Sequence, residues 1–213
     1  MNYFEKLLER KSKEDNTNDY YTQWNYDKEI YKDILLGVRD YYPNYTDHGI
    51  KHSETILINI LRLFGEETLD TLSSLDIWLL LEAAYLHDCG MYISRDEAKK
   101  VISEEGFIRY FNEINSNFNH PMHIFTKYFR FDIRENKFEY ESKVYDTNHE
   151  YAIKFLISAY KRKTHAQDLN KIDEFQIKKK LLPERIYLIL YSLSKSHGED
   201  FKKVLEFPGK KLE

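Results

Sequence analysis

The residues best equipped for chemistry fall in two short stretches, Tyr45-Thr46-Asp47-His48-Gly49-Ile50-Lys51-His52-Ser53 and Leu86-His87-Asp88-Cys89-Gly90. Imidazole nitrogen and carboxylate oxygen are the donors that a divalent cation takes from several helices converging on one point. His52, then the adjacent His87-Asp88 pair, then His165 and His197 further on are donors of that kind. The pair is the strongest signal, because it emerges where a long apolar run ends. Burying a neutral polar group without a partner costs roughly 2–7 kcal/mol, and a charge costs more, so such a pair demands a partner. A metal ion satisfies both groups at once.

The elements that must hold these groups read as helices. Phe4, Leu7 and Leu8 make one stripe over residues 3–12, and the polar run Lys13 to Asn18 breaks it. A helix over about 22–41 carries Trp24, Tyr31, Ile34, Leu35 and Val38 inward until Tyr42-Pro43 stops it. The next is expected to start near Thr46 or Asp47 as N-cap and to run to Leu63-Phe64, where Gly65 ends it. On such a helix His48 and His52 share one face. From Leu75 to His87 the chain is apolar almost all round, the pattern of a central buried helix, and Gly90 is its expected terminator.

Ser94-Arg95-Asp96-Glu97 is a capping box opening a helix to about Phe111 or Asn115. Phe129, Phe131 and Ile133 then alternate with charged residues, and after Glu135-Asn136-Lys137 so do Phe138 and Tyr140. Period-two runs about a polar turn predict a β-hairpin, over about 128–144. A helix resumes from about Thr147 to His165 with Tyr151, Ile153, Phe155, Leu156 and Ala159 inward. Pro183 suits the first turn of a last helix whose Ile186, Leu188, Ile189, Leu190 and Leu193 lead to Ser196-His197-Gly198-Glu199-Asp200. The fold class expected is all-α, a helical bundle with one small inserted hairpin.

The totals agree. Eighteen tyrosines and 13 phenylalanines stand beside seven glycines and four prolines, a breaker-poor composition that suits helices. A chain of 213 residues is long enough for a real core. Its net charge of -4 builds no field for a polyanion, so nucleic acid is not an expected partner. The single cysteine, Cys89, rules out an internal disulfide and a Cys-rich zinc knuckle, in keeping with a reducing cytoplasm. No apolar run approaches the roughly 20 residues of a membrane helix, and the expectation is a soluble cytoplasmic protein. The closing Leu212-Glu213 has the form of a cloning scar, which leaves open that the chain is excised from a longer protein.

The other candidates read more plainly. His120, His123 and His149 are taken as loop or cap residues, and Cys89 as packing. Lys178-Lys179-Lys180 is a solvated face, whereas Arg162 or Lys163, about one turn before His165, could reach a phosphate.

Taken together, the first histidine followed by Ser53, the His87-Asp88 doublet, Arg162-Lys163-Thr164-His165-Ala166 and Ser196-His197-Gly198-Glu199-Asp200 resemble the HD superfamily of metal-dependent phosphohydrolases. More narrowly they are similar to the bacterial HD domains found in front of Hsp90-like ATPase domains. The match covers about 35–200, outside the hairpin. The resemblance implies a single HD-type domain over 1–213, with N-terminal helices to 41, core halves over 42–117 and 147–213, and an insertion over 118–146. It implies one or two divalent ions (Mn, Mg, Fe, Ni or Zn) held by His52, His87 and Asp88. His48, His165 and His197 would then position substrate or move a proton, and Arg162 and Lys163 would bind it. The implied reaction is hydrolysis of a nucleotide, cyclic nucleotide or similar small phosphoester. The alternative is a non-catalytic metal- or nucleotide-binding sensor within a larger ATPase-containing protein. The family's final aspartate, in a Leu-Ala-Asp-like context, has no match, for Asp200 stands near His197 in other surroundings.

Overall fold

The computed structural model describes residues 2–42, 49–132, 137–140, 147–162 and 182–196. In chain order its elements are α1 (Tyr3–Glu14), α2 (Asn18–Tyr41), α3 (Ile50–Asp70), α4 (Ser74–Leu86), a 3₁₀ turn (Cys89–Met91), α5 (Arg95–Val101), α6 (Glu105–Ser116) and α7 (His123–Thr126). Strands β1 (Phe129–Asp132) and β2 (Lys137–Tyr140) follow, then α8 (Thr147–Lys161) and α9 (Glu184–Ser196). The fold is all-α apart from the antiparallel hairpin, in which Phe129 pairs with Tyr140 and Asp132 with Lys137. Lys137 therefore belongs to the strand and not to the polar turn expected there. No described helix is long and apolar enough to cross a membrane.

The chain divides into two compact units. The first takes α1, α2 up to Leu36, α3, α4 and α9. Its centre is α4, which packs against α1, α3 and α9. Ile77, Trp78, Leu81, Tyr85 and Leu86 of α4 are fully buried, as the all-round apolar pattern requires. Phe4, Leu7 and Leu8 of α1 and Trp24, Tyr31, Ile34 and Leu35 of α2 join them in the core, as their stripes predict. Trp24 meets Tyr85 edge-on at 5.1 Å and Trp78 meets Tyr187 at 6.0 Å, the T-shaped arrangement that ring quadrupoles favour. Both key helices start on full capping boxes, Asn2 with Glu5 and Ser73 with Asp76.

The second unit takes α2 from Gly37, the 3₁₀ turn from Met91, α5 to α8 and the hairpin. Val38, Met91, Ile93, Val101, Phe107, Phe111, Leu156 and Ile157 form its core. Gly37 is required inside its helix because a Cβ there would collide with the Tyr92 ring.

Several expected elements are corrected. The single helix over 95–115 is two, α5 and α6, separated at Ile102–Glu104. At about 100° per residue, one continuous helix would place Val101 and Phe107 about 120° apart around its axis, yet both are fully buried. The break re-aims the second half so that both reach one core. The expected capping box is half made, with the Ser94 hydroxyl accepting from the Glu97 N–H. At Gly65 the φ of 76° interrupts α3 where termination was expected, but helix resumes to Asp70.

On α8, Tyr151 is 41% exposed, its ring leaning on Phe155 at 4.8 Å from the rim of the core. On α9, Leu188 and Leu193 are exposed, and the inward stripe is Ile186, Tyr187, Leu190 and Ser194. That stripe has i, i+3, i+7 spacing through Tyr187, which a count of aliphatic residues alone passes over.

Candidate metal centre

The site belongs to the first unit and is built by the start of α3 and the end of α4. Gly49 is the extended N-cap of α3, with no side-chain cap, so the helix begins at Ile50 and not near Thr46 or Asp47. His48, expected to share a face with His52, lies outside the described residues. His52 stands in the first turn of α3. At the other side, α4 has used up its apolar run at Leu86. His87 caps the helix in αR conformation with its N–H on the Ala83 carbonyl at 3.2 Å. The chain then tightens into the 3₁₀ turn, where the buried Cys89 thiol donates to the Tyr85 carbonyl at 3.2 Å. Burial pushes that thiol well up from its ordinary pKa, so Cys89 is packing, as read from the sequence.

This local geometry points three donor atoms at one another. His87 Nδ1 lies 3.1 Å from the Ala84 carbonyl oxygen. A carbonyl can only accept, so Nδ1 is the nitrogen that donates to it, and Nε2 is the one turned toward Asp88 and His52. Nε2 lies 3.1 Å from Asp88 Oδ2, and His52 Nε2 lies 3.6 Å from the same oxygen. The two imidazole centroids are 5.4 Å apart. One ligand atom from each of His52, His87 and Asp88 lies within 4.8 Å of the others. A backbone carbonyl orienting a ligating histidine through its other nitrogen is the usual outer support of a metal site.

Burial grades across the trio. The Asp88 side chain is 4% exposed, His87 12% and His52 37%, so the group is anchored on the α4 side and reachable from the His52 side. The C-terminal end of α4 carries partial negative charge, which also favours a cation there. Two imidazoles and one carboxylate form a borderline donor set suited to Mn, Fe, Ni or Zn, and the arrangement can hold a metal ion.

Residues 42–213 match the family model HD-CE. The chain belongs to the HD-CE family. No curated protein and no solved structure matches it. The match takes in all three donors and begins at Tyr42, so α1 and α2 stand outside it. An HD-CE domain with a His-His-Asp group that can hold a metal fits a metal-dependent hydrolase-like domain.

The remaining predicted residues fare differently. His165, His197 and Lys163 lie outside the described residues, as does Asp200. Arg162 is exposed in the second unit, just past α8, with its N–H on the Ser158 carbonyl at 2.9 Å. Two histidines read as loop or cap residues are in fact buried. His123 opens α7 with Nδ1 3.2 Å from the Ile114 carbonyl, and His149 packs its ring against Tyr128 and Phe129. Aromatic neighbours around both rings, and a carbonyl partner for His123, make these satisfied core groups. His120 is the turn residue expected, its Nδ1 accepting from the Met122 N–H at 3.1 Å.

Sequence reading also passed over two acids. Glu82, inside the apolar α4, and Asp27, inside α2, are both fully buried. Glu82, set among the apolar residues after Asp76 in α4, was an available signal, whereas Asp27 sits in the charge-rich α2 and offered none.

Proposed function

We propose that this HD-CE domain is a metal-dependent phosphohydrolase acting on a small phosphoester, with a nucleotide or cyclic nucleotide as the substrate class. The observation that carries the reading is the convergence of His52 Nε2, His87 Nε2 and Asp88 Oδ2 within one coordination-sized group. A divalent cation bound there supplies Lewis acidity, lowering the pKa of water and offsetting phosphate charge.

The chain's own groups do the rest. The Ala84 carbonyl keeps the proton on His87 Nδ1 and so presents Nε2 as a donor. The buried Asp88 carboxylate supplies the negative charge that makes the site selective for a cation. The exposed edge of His52 leaves the side by which a phosphoester enters. The family resemblance implies proton transfer and substrate positioning for His48, His165 and His197, and the charge of Arg162 and Lys163 suits phosphate oxygens. The nucleotide class, and an Hsp90-like ATPase domain as neighbour in a longer chain, follow from the family resemblance. Water attack at phosphorus then cleaves one P–O bond, and the leaving alkoxide takes a proton from one of these histidines.

The test is elemental analysis of protein purified without chelator, followed by phosphomonoester and phosphodiester turnover with Mn²⁺, Mg²⁺, Fe²⁺ or Ni²⁺. Bound metal and turnover that both disappear in His87→Ala are expected. Metal occupancy with no turnover under any of these cations would sink the hydrolase reading and leave a binding module.

A further inference from the structure

The first unit holds a second polar cluster, built by α2 and α4 and separate from the metal centre. Gln23, Asp27, Tyr31 and Glu82 are buried together to within 1% exposure. Each acid spends one oxygen on a neutral donor: Gln23 Nε2 donates to Asp27 Oδ2 at 2.8 Å, and the Tyr31 hydroxyl donates to Glu82 Oε2 at 2.5 Å. Among the described residues the other oxygens, Asp27 Oδ1 and Glu82 Oε1, are completely buried and receive no N–H or hydroxyl in bonding geometry, although the Trp78 indole approaches Glu82. The two acid side chains themselves lie within hydrogen-bonding reach of each other.

Two ionised carboxylates cannot hydrogen-bond, and two unpaired buried charges would cost far more than a fold can bear. A proton between them resolves both problems. We propose that Glu82 and Asp27 share a proton between Oε1 and Oδ1, so that α2 and α4 are joined in the core by a carboxyl–carboxylate hydrogen bond that serves as a pH-operated lock. No bond other than O–H is made or broken. The proton leaves to solvent when the lock opens.

The surroundings favour this reading. Among the described residues, the titratable groups that face the pair are the hydroxyl of Tyr31 on α2, the hydroxyl of Tyr187 on α9 and the Cys89 thiol beyond α4. All three are acids, and burial pushes each of them up, so none offsets a negative charge. Burial likewise raises Asp27 to about 7, against the lowering effect of its Gln23 and Glu82 hydrogen bonds. Burial, then the nearby Asp27 charge, holds Glu82 well above the ordinary carboxylate range.

Both acids hold protons more tightly folded than unfolded. Between the ordinary range, about 4, and the folded values, the native chain binds more protons, so stability is greatest in acid and falls as pH rises. Because α4 ends in His87, the lock acts on the helix that carries the metal centre, but it does not depend on metal being bound.

The experiment is a carbon-detected NMR titration of the Asp27 and Glu82 carboxyls in the full chain, with melting curves at about pH 5.5 and about pH 8.5. Glu82 is expected to stay protonated at neutral pH. In Asp27→Asn its midpoint should fall by at least about one unit, because the proton-sharing partner is gone. Glu82→Gln mimics the protonated acid and should melt at a higher temperature than wild type at the alkaline pH. A Glu82 carboxyl already ionised at neutral pH, or one whose midpoint ignores Asp27→Asn, overturns the proposal. The wild-type titration alone can refute the proposal even if a variant folds poorly.

Discussion

If the trio holds a divalent metal, as proposed, wild type is expected to melt higher with the metal than with chelator, and Asp88→Asn to erase that shift. A ligand that binds only the folded state at 100 times its Kd adds about 2.7 kcal/mol. For a chain of this size that moves the melting temperature up by about 5–10 °C. Asp88→Asn keeps the shape of the side chain but removes the one anionic donor of the trio. One oxygen of Asp88, Oδ2, lies 3.1 Å from His87 Nε2 and 3.6 Å from His52 Nε2. The loss should exceed the 10–100-fold that removal of an outer support typically costs a metal site, roughly. Differential scanning fluorimetry with Mn²⁺ and with chelator reads the effect. Comparing each variant with and without metal cancels any change in its baseline stability. A His120→Ala control should keep the full shift, because His120 is a turn residue of the second unit. An undiminished shift in Asp88→Asn would show that metal binds elsewhere.

Trp78→Ala should be the most damaging single change to the fold, at a cost of about 3–5 kcal/mol. Trp78 is fully buried at the centre of α4, with its ring 6.2 Å from Tyr20 of α2 and 6.0 Å from Tyr187 of α9. Truncation empties a space that three helices line, and a packed core collapses only partly into such a void. Against a typical domain stability of about 5–15 kcal/mol, that is roughly a fifth or more of the total. The measurement is the urea midpoint, and an unchanged slope would confirm that only native stability moved. A loss under about 1 kcal/mol would mean that α4 is not the element on which the unit is built.

What was legible in the sequence follows from how each element meets the core. The inward stripes of α1 and α2 were read correctly because one periodic face is buried, although α2 starts at Asn18 and not near residue 22. The hairpin was equally clear from its alternation. Boundaries decided by single residues were not. Gly49 opens α3 without a side-chain cap, and nothing in Thr46 or Asp47 warns of that. The separation of α5 from α6 is set by where Val101 and Phe107 must point, a tertiary demand that a local capping box cannot reveal. Tyr187 and the buried His149 were missed because both look polar in a composition count while burying most of their area as rings.

At the site, His52, His87 and Asp88 were readable because a polar doublet at the end of an apolar helix is costly to bury unless something binds it. The tautomer of His87 was not, since it depends on a backbone carbonyl three residues earlier. Glu82 and Asp27 escaped notice for the opposite reason: their partner is another acid on a distant helix, and no short pattern links α2 to α4.

The family match begins at Tyr42, whereas the hydrophobic neighbours of α4 begin at Phe4. Trp24, Tyr31 and Leu35, all upstream of the match, are fully buried in the same unit. The unit of descent and the unit of folding thus have different edges. A fragment trimmed to the homologous segment would carry α4 into water with one flank bare, offering aggregation a surface that the first two helices normally cover.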